Sequence, residues 1–381
     1  MKKRLSILGS TGSIGVSALD VVNHLNDEFE ICYLSANSNV TTLIEQVIKF
    51  RPKAVAVVDK VGAQSIKSQL DSMGVELLEG RSGLLELSLR DDIDIMLNGL
   101  VGSSGMEPTL NAIEVGVNIA LANKESLVMA GNLINKALKN SKSQLFPVDS
   151  EHSAIWQCLK GENIKEVSRI ILTGSGGPFR LRELSTFENI KVEEALNHPN
   201  WDMGRKISID SATMMNKGLE VIEAFWLFGF NHKKIDIVIH PESIIHSMIE
   251  MNDGSIKAQL GVPDMKVPIQ YSLTYPNHQF ANWERFDFFQ YKNLTFEEPD
   301  FKKFPSILYA LEALERGGTS GAALNLSNDI TVNLFLQNKI GFTDIVRINK
   351  MILDSHPWIL HPSLDDLKEL SIWVANKIPE L

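Results

Sequence analysis

Two carboxylates stand two residues apart in Pro147-Val148-Asp149-Ser150-Glu151-His152, at the end of an apolar segment. In an extended backbone, side chains at i and i+2 point to the same side, so Asp149 and Glu151 can converge on one hard cation. That is a metal site in outline. A plainer expectation stands beside it: Asp149 or Ser150 caps a helix that runs through Ser153-Ala154-Ile155-Trp156. The rest of the chain favours chemistry, because it supplies a nucleotide-type loop, a third carboxylate and a phosphate-type turn.

The nucleotide-type loop is Gly9-Ser10-Thr11-Gly12-Ser13-Ile14-Gly15, behind a short apolar run and ahead of the helical pattern Val16 to Leu25. Glycines so placed let the backbone approach a pyrophosphate and aim a helix N-terminus at it. The spacing is G-x-x-G-x-x-G, one residue away from the common dinucleotide fingerprint. Its position right after the first strand makes a dinucleotide site the expectation over a plain tight turn. The second apolar run leads into Ser35-Ala36-Asn37-Ser38-Asn39, which has no acid to hold a ribose diol or repel a 2′-phosphate. NADP is favoured on that ground.

Three further segments are polar where structure alone would not ask for it. Val167 to Leu172 runs into Thr173-Gly174-Ser175-Gly176-Gly177-Pro178, a turn whose amides and hydroxyl can cradle phosphate, or which is only a loop. Asp210 to Glu220 opens with a cap signal and continues as a helix, on which Asn216, Lys217 and Glu220 share a face. An exposed Lys–Glu pair is the alternative there. Asn197-His198-Pro199-Asn200-Trp201-Asp202-Met203-Gly204-Arg205-Lys206 sets a Trp and a Met between Pro and Gly. It reads as a lid over substrate, or as a loop that its Trp pins to the core.

Positioning these groups requires a frame. Leu5 to Leu8, Ile31 to Leu34, Ala54 to Val58, Ile93 to Leu97 and Val117 to Leu121 alternate with helical patterns, the signature of a doubly wound parallel sheet over residues 1–149. A central α/β region, 150–275, has strands Val167 to Leu172, Ile235 to His240, Ile244 to Met251 and Ser255 to Leu260. The turn Asn252-Asp253-Gly254 makes a hairpin of the last two. Residues 276–299 read as a linker. Residues 300–381 read as a helical bundle, with helices at Ile307 to Arg316, Ala322 to Asn338, Asp344 to Leu353 and Ser363 to Lys377.

A chain of 381 residues has room for about two or three domains. Its 44% hydrophobic and 22% charged residues are those of a globular protein. No apolar run reaches the roughly 18 residues of a membrane span. The basic start at Lys2-Lys3-Arg4 is followed by too short an apolar run for a signal peptide. Cys32 and Cys158 cannot build a disulfide framework, so a reducing cytoplasm is expected. A net charge of -10 argues against a nucleic-acid partner.

Taken together, Gly9 to Gly15, Ala122-Asn123-Lys124-Glu125-Ser126, Pro147 to His152, Thr173 to Arg180, His198 to Lys206 and Asp210 to Glu220 resemble the 1-deoxy-D-xylulose 5-phosphate reductoisomerase family of the methylerythritol phosphate route to isoprenoids. The resemblance covers essentially the whole chain. It implies a Rossmann-like NADP-binding domain, a central catalytic and dimerisation domain with a mobile lid, a C-terminal helical domain and a homodimer. It makes Asp149, Glu151 and Glu220 ligands of Mg²⁺ or Mn²⁺. It gives the substrate phosphate to Ser175, Ser211, Asn216 and Lys217 with His198 beside it, the sugar oxygens to Ser150 and Lys124, and the covering role to Trp201. Lys124, Glu151 and His198 are its catalytic candidates. Thr11, Gly12, Ser13, Ile14, Asn37, Ser38, Asn39, Asn123, Glu125 and Gly204 would contact NADPH. The implied reaction is isomerisation of 1-deoxy-D-xylulose 5-phosphate followed by hydride transfer, giving 2-C-methyl-D-erythritol 4-phosphate. Family members often carry Lys or Arg at the place of Ser38, so the preference for NADPH is expected to be narrower here. The rivals are a semialdehyde-type NADP dehydrogenase, which needs an activated thiolate, and a non-catalytic nucleotide sensor.

Overall fold

The structure is a computed structural model that describes residues 2–198, 200–201 and 203–380. Pro199 and Asp202 of the expected lid, and the terminal Met1 and Leu381, lie outside the described residues. The chain forms two compact units: Met1–Ser126 with Ile134–Asp149 and Asp264–Trp283, and Leu127–Leu133 with Ser150–Pro263 and Glu284–Leu381.

In the first unit, seven strands form one parallel sheet: β1 (Lys3–Leu8), β2 (Phe29–Ala36), β3 (Ala54–Val57), β4 (Glu76–Glu79), β5 (Ile95–Asn98), β6 (Asn118–Leu121) and β7 (Leu145–Pro147). Their order is β4-β3-β2-β1-β5-β6-β7. β3 and β5 are buried along their length and β1 from Leu5 onward, as short Val/Ile/Leu runs covered on both faces must be. Strand order reverses between β1 and β5, and in open α/β sheets ligands bind at the carboxyl ends of the strands at such a point. The glycine loop stands at that end of β1. Strands β4 and β7, which are not among the strands expected above, are the two edges of this sheet. The helix Lys266–Thr274 buries Ile269 and Leu273 in the same core as Leu5, Ile7 and Val55. That stretch, assigned above to the central region, therefore clusters with the first unit.

In the second unit, β8 (Val167–Gly174), β9 (Ile235–Ile239), β10 (Ile245–Met251) and β11 (Ile256–Leu260) form a mixed sheet in the order β11-β10-β8-β9. β10 and β11 are the expected antiparallel hairpin, turned at Asn252 to Gly254, where Gly254 takes φ +83°. The helix Met215–Phe228 is buried on two sides. Val221 and Ala224 pack with Ile170 and Leu172 of β8, while Met215, Leu219 and Ile222 pack with Ala310, Ala313, Leu324 and Leu353 of the C-terminal helices. Those helices run Ser306–Arg316, Ser320–Leu336, Phe342–Ser355 and Leu364–Lys377. Polar residues of the Met215–Phe228 helix are thus carried into a low-dielectric interior. No helix among the described residues is long and apolar enough to cross a membrane.

Candidate active site

In the first unit the glycine loop is clamped from below. Ser35 accepts the Gly9 N–H on its hydroxyl at 3.0 Å and the Ser10 N–H on its carbonyl at 2.8 Å. Buried Gln46 closes a second pair with Ser10, taking its hydroxyl at 2.6 Å and donating to its carbonyl at 2.8 Å. Gly15 is needed for packing, since a Cβ there would lie 2.4 Å from the Gly9 oxygen. Gly12 and Ser13 are exposed, and Thr11 and Ile14 half-buried. No side chain caps the helix Ser13–His24, so its first amides are left to a ligand.

Asn37, Ser38 and Asn39 are exposed beyond β2, with Asn39 also capping the next helix through Thr42 at 3.3 Å. Asn123 is buried, and its amide is committed: Nδ2 donates to the Leu100 and Gly102 carbonyls at 2.9 and 2.8 Å and to Glu125 at 3.0 Å, while Oδ1 caps Ser126 at 3.1 Å. It fixes the turn from which Lys124 projects. Lys124 itself is buried and ion-paired with Asp149.

The metal-type hexapeptide, whose residues from Ser150 onward belong to the second unit, departs from the extended form expected of it. Ser150 already begins the helix Ser150–Leu159, so Glu151 sits in a first helical turn and the local, helix-starting expectation is met. Glu151 nevertheless faces cationic chemistry. Lys217 Nζ lies 2.7 Å from Glu151 Oε1 and is ion-paired with Glu220, whose other oxygen accepts from Asn216 Nδ2. Ser150 Oγ donates to Glu151 Oε2 at 2.5 Å. Lys217 is 4% exposed and Glu220 fully buried, which overturns the alternative of a solvated surface pair. Burial opposes the Lys217 charge, but Glu151 and Glu220 outweigh it and raise the pKa.

The expected cap at Asp210 is corrected too. Helix Arg205–Ala212 already contains it, Met214 turns the corner at φ +57°, and Met215–Phe228 follows. The carboxylate instead accepts inside the protein, from Lys206 at 2.8 Å and Asn328 at 2.7 Å.

The turn after β8 is drawn against these residues. A Cβ on Gly174 would lie 2.8 Å from Lys217 Cε, and one on Gly177, at φ +69°, only 2.5 Å from the Ser211 oxygen. Ser175 thereby stands with Ser211 and Lys217. His198 Nδ1 accepts the Asn200 and Trp201 amides at 3.2 and 3.0 Å, so its proton resides on Nε2, 3.0 Å from Ser175 Oγ. Ser175 Oγ accepts that proton donor and the Gly177 amide at 3.2 Å. Both its lone pairs are used, and its own O–H is left to donate outward to an anion. Burial lowers the His198 pKa to about 4, which keeps the ring neutral. Trp201 is half-buried with its ring 6.2 Å from that of His246, while Gly204 is exposed.

Several residues here went unassigned in the sequence. His152, fully buried, points Nε2 at the Glu220 carbonyl at 2.9 Å and Nδ1 at Glu223 at 3.1 Å, tying the two carboxylate-bearing helices together. His246 is held neutral by burial, against the pull of Glu151. Ser35 and Gln46 brace the glycine loop. Only Glu223 left a signal, one helical turn beyond Glu220.

A Rossmann-like sheet with an open glycine loop, and a second unit in which carboxylates, an ammonium and a phosphate-type turn gather, define a nucleotide-dependent oxidoreductase acting on a phosphorylated substrate. Comparison with known proteins narrows the class. The profile of 1-deoxy-D-xylulose 5-phosphate reductoisomerase matches residues 5–131, and two profiles of that enzyme's C-terminal domain match residues 145–228 and 260–377. The chain is 50% identical to 1-deoxy-D-xylulose 5-phosphate reductoisomerase of Chloroherpeton thalassium over 97% of its own length and 95% of the relative's. A crystal structure of DOX-P reductoisomerase with NADPH, fosmidomycin and magnesium is similar at TM-score 0.93 and 37% identity, covering 99% of this chain and 97% of that one. The Zymomonas mobilis enzyme in complex with NADPH is similar at TM-score 0.90 and 40% identity, with each chain fully covered. The chain belongs to the 1-deoxy-D-xylulose 5-phosphate reductoisomerase family.

Proposed function

We propose that this chain converts 1-deoxy-D-xylulose 5-phosphate to 2-C-methyl-D-erythritol 4-phosphate with NADPH and a divalent cation, Mg²⁺ or Mn²⁺, as a homodimer in the cytoplasm. Family membership supports the reaction. The observation that carries the site is the knot in which buried Lys217 and Glu220 join Glu151 and Asn216 beside the Ser175 turn.

Asp149, Glu151 and Glu220 would hold the cation. The donor set fits: Glu151 and Glu220 already gather one positive charge, the Lys217 ammonium, and Asp149 pairs with Lys124. Hard carboxylate oxygens are what Mg²⁺ and Mn²⁺ select. When bound, the cation supplies Lewis-acid stabilisation to oxygens that gain negative charge, and NADPH supplies the hydride.

The protein's own groups do the rest. Ser175, Ser211, Asn216 and Lys217 take the phosphate, so binding energy at the inert end of the substrate orients the reacting end. The neutral His198 keeps the Ser175 hydroxyl turned outward. Lys124, held on the turn fixed by Asn123, offers a proton or positive charge to the sugar oxygens, with Ser150 beside Glu151 as a further donor. Thr11, Gly12, Ser13 and Ile14 present the pyrophosphate site, Asn37, Ser38 and Asn39 the 2′-phosphate side, and Glu125 and Gly204 border the cofactor. Residues 198–206, with Trp201, close over the substrate and exclude water.

The semialdehyde reading loses its nucleophile, because burial pushes the thiols of Cys32 and Cys158 up to about 11. The assay that tests the proposal follows the absorbance of reduced nicotinamide. Oxidation must require the sugar phosphate and Mg²⁺ together. Oxidation without either one, or none with both present, refutes it.

A further inference from the structure

The helix that carries Ser211 is bolted to the C-terminal helices by a chain of buried amides whose directions are all dictated by one charge. A carboxylate can only accept, so Asn328 must turn Nδ2 to Asp210 Oδ1, at 2.7 Å, and its carbonyl oxygen away. That oxygen is met by Asn349 Nδ2 at 3.1 Å, which leaves Asn349 Oδ1 for the hydroxyls of Ser327 at 2.7 Å and Thr331 at 3.1 Å. On the other side, Asp210 Oδ2 lies 2.8 Å from Lys206 Nζ, which also reaches Asp329 at 3.2 Å. Asn328, Asn349, Ser327 and Thr331 are fully buried and Asp210 is 2% exposed. Three helices take part: Arg205–Ala212, Ser320–Leu336 and Phe342–Ser355.

Apolar contacts at these positions would serve stability as well, since buried charges are seldom a net gain. What they could not do is fix the rotation of an eight-residue helix about its axis. Directional hydrogen bonds on two sides of Asp210 do that, and the residue next to Asp210 is Ser211, with the Ser175 turn packed on its carbonyl. Lys206, one turn before Asp210, is held by the two carboxylates of Asp210 and Asp329. We infer that Asp210, Asn328 and Asn349 form a positioning relay through which the C-terminal helices set the direction of Ser211, and with it the affinity for the substrate's phosphate group.

The inference rests on the phosphate role assigned to Ser211 above. In Asn328→Leu, the KM for the sugar phosphate should rise about tenfold, the effect of one lost hydrogen bond to a charged group. The KM for NADPH should stay within about twofold. Asn349→Leu, which leaves Asn328 in place, should move the same constant in the same direction by less. It decides the matter if Asn328→Leu does not fold. The exchanged pair D210N/N328D keeps one amide and one carboxylate and should recover the wild-type KM, which a merely structural defect would not. Calorimetry of inorganic phosphate binding to the NADPH complex gives the same comparison without turnover, so an inactive wild type would refute the proposed reaction and not the relay. Unchanged substrate KM and phosphate affinity in both leucine variants would overturn the inference. So would an equal rise in both KM values, or no recovery in the exchanged pair.

Discussion

Lys217 keeps its charge in a place where burial alone would strip it, and it does so because Glu151 and Glu220 face it. The same two carboxylates are the proposed metal ligands, so their charge and not their shape is what matters. Glu151→Gln and Glu220→Gln preserve shape and hydrogen-bonding oxygen while removing a hard anion. Each should lower kcat by roughly 10²–10³-fold at saturating Mg²⁺ and leave the KM for NADPH unmoved. Wild-type turnover in either variant at limiting Mg²⁺ would dismiss that residue as a ligand. His198 offers a pH test. Burial lowers its pKa from 6.5 to about 4, so as pH falls the unfolded chain takes up the proton first. The contribution of neutral His198 is complete above pH 6.5 and is lost between there and about 4, where a proton on Nδ1 would break the bonds from Asn200 and Trp201. Melting temperature measured across that window should fall less steeply for His198→Asn than for the wild type, and parallel curves would remove His198 from the account.

At the scale of elements, the turn after β8 tests whether packing against Ser211 and Lys217 is what shapes the phosphate site. Gly177→Ala forces a left-handed backbone on alanine and drives its Cβ into the Ser211 oxygen. Gly161→Ala meets the same left-handed strain, at φ +83°, with nothing within 4 Å of its Cβ. Gly161→Ala should lose about 1–2 kcal/mol of stability and Gly177→Ala more through the added clash, read by thermal or denaturant unfolding, but only Gly177→Ala should raise the KM for the sugar phosphate. Equal KM values in the two variants would divorce the turn from substrate binding. The elements themselves were unevenly legible. β1, β2, β3, β5 and β6 could be read because strands buried on both faces are near-continuous apolar runs. β4, a Glu-Leu-Leu-Glu edge, and β7, three residues long at the other edge, carry neither length nor periodicity. The carboxylates, Lys217 and the glycine loops were visible because their residue types are unusual where they stand. Ser35 and Gln46 beneath the loop, and Asn328 on Asp210, were not. Their partners are 26, 36 and 118 residues away in the chain, and side-chain pairing at such separations leaves no local pattern. The extended reading of Asp149 to Glu151 failed for a related reason, because a helix start and a strand end write the same few residues.

At the scale of the whole molecule, the sheet of the second unit has an edge among the described residues that asks for a partner. In the second unit, the β9 edge is met by the segment at Glu297, which bridges Ile239 in antiparallel fashion. The outer side of β11 pairs with no strand or bridge among the described residues, and Ile256 and Leu260 on it are 53% and 37% exposed. Unpaired edges with apolar side chains are prone to join another chain, and proteins usually blunt them with charge, proline or a covering segment. A two-fold pairing of β11 with its copy would satisfy the backbone groups and cover both side chains at once, since an isologous contact places the same strand on both sides. The proposed homodimer should therefore form through β11. Sedimentation at micromolar concentration should show twice the mass of one chain for the wild type. Ile256→Lys combined with Leu260→Lys should shift it to the mass of one chain, because like charges brought face to face would repel and solvated lysines resist burial. NADPH binding should survive in that variant, since the glycine loop lies in the other unit. A wild type that sediments as a single chain would refute the dimer, and a double-lysine variant that stays dimeric would move the interface away from β11.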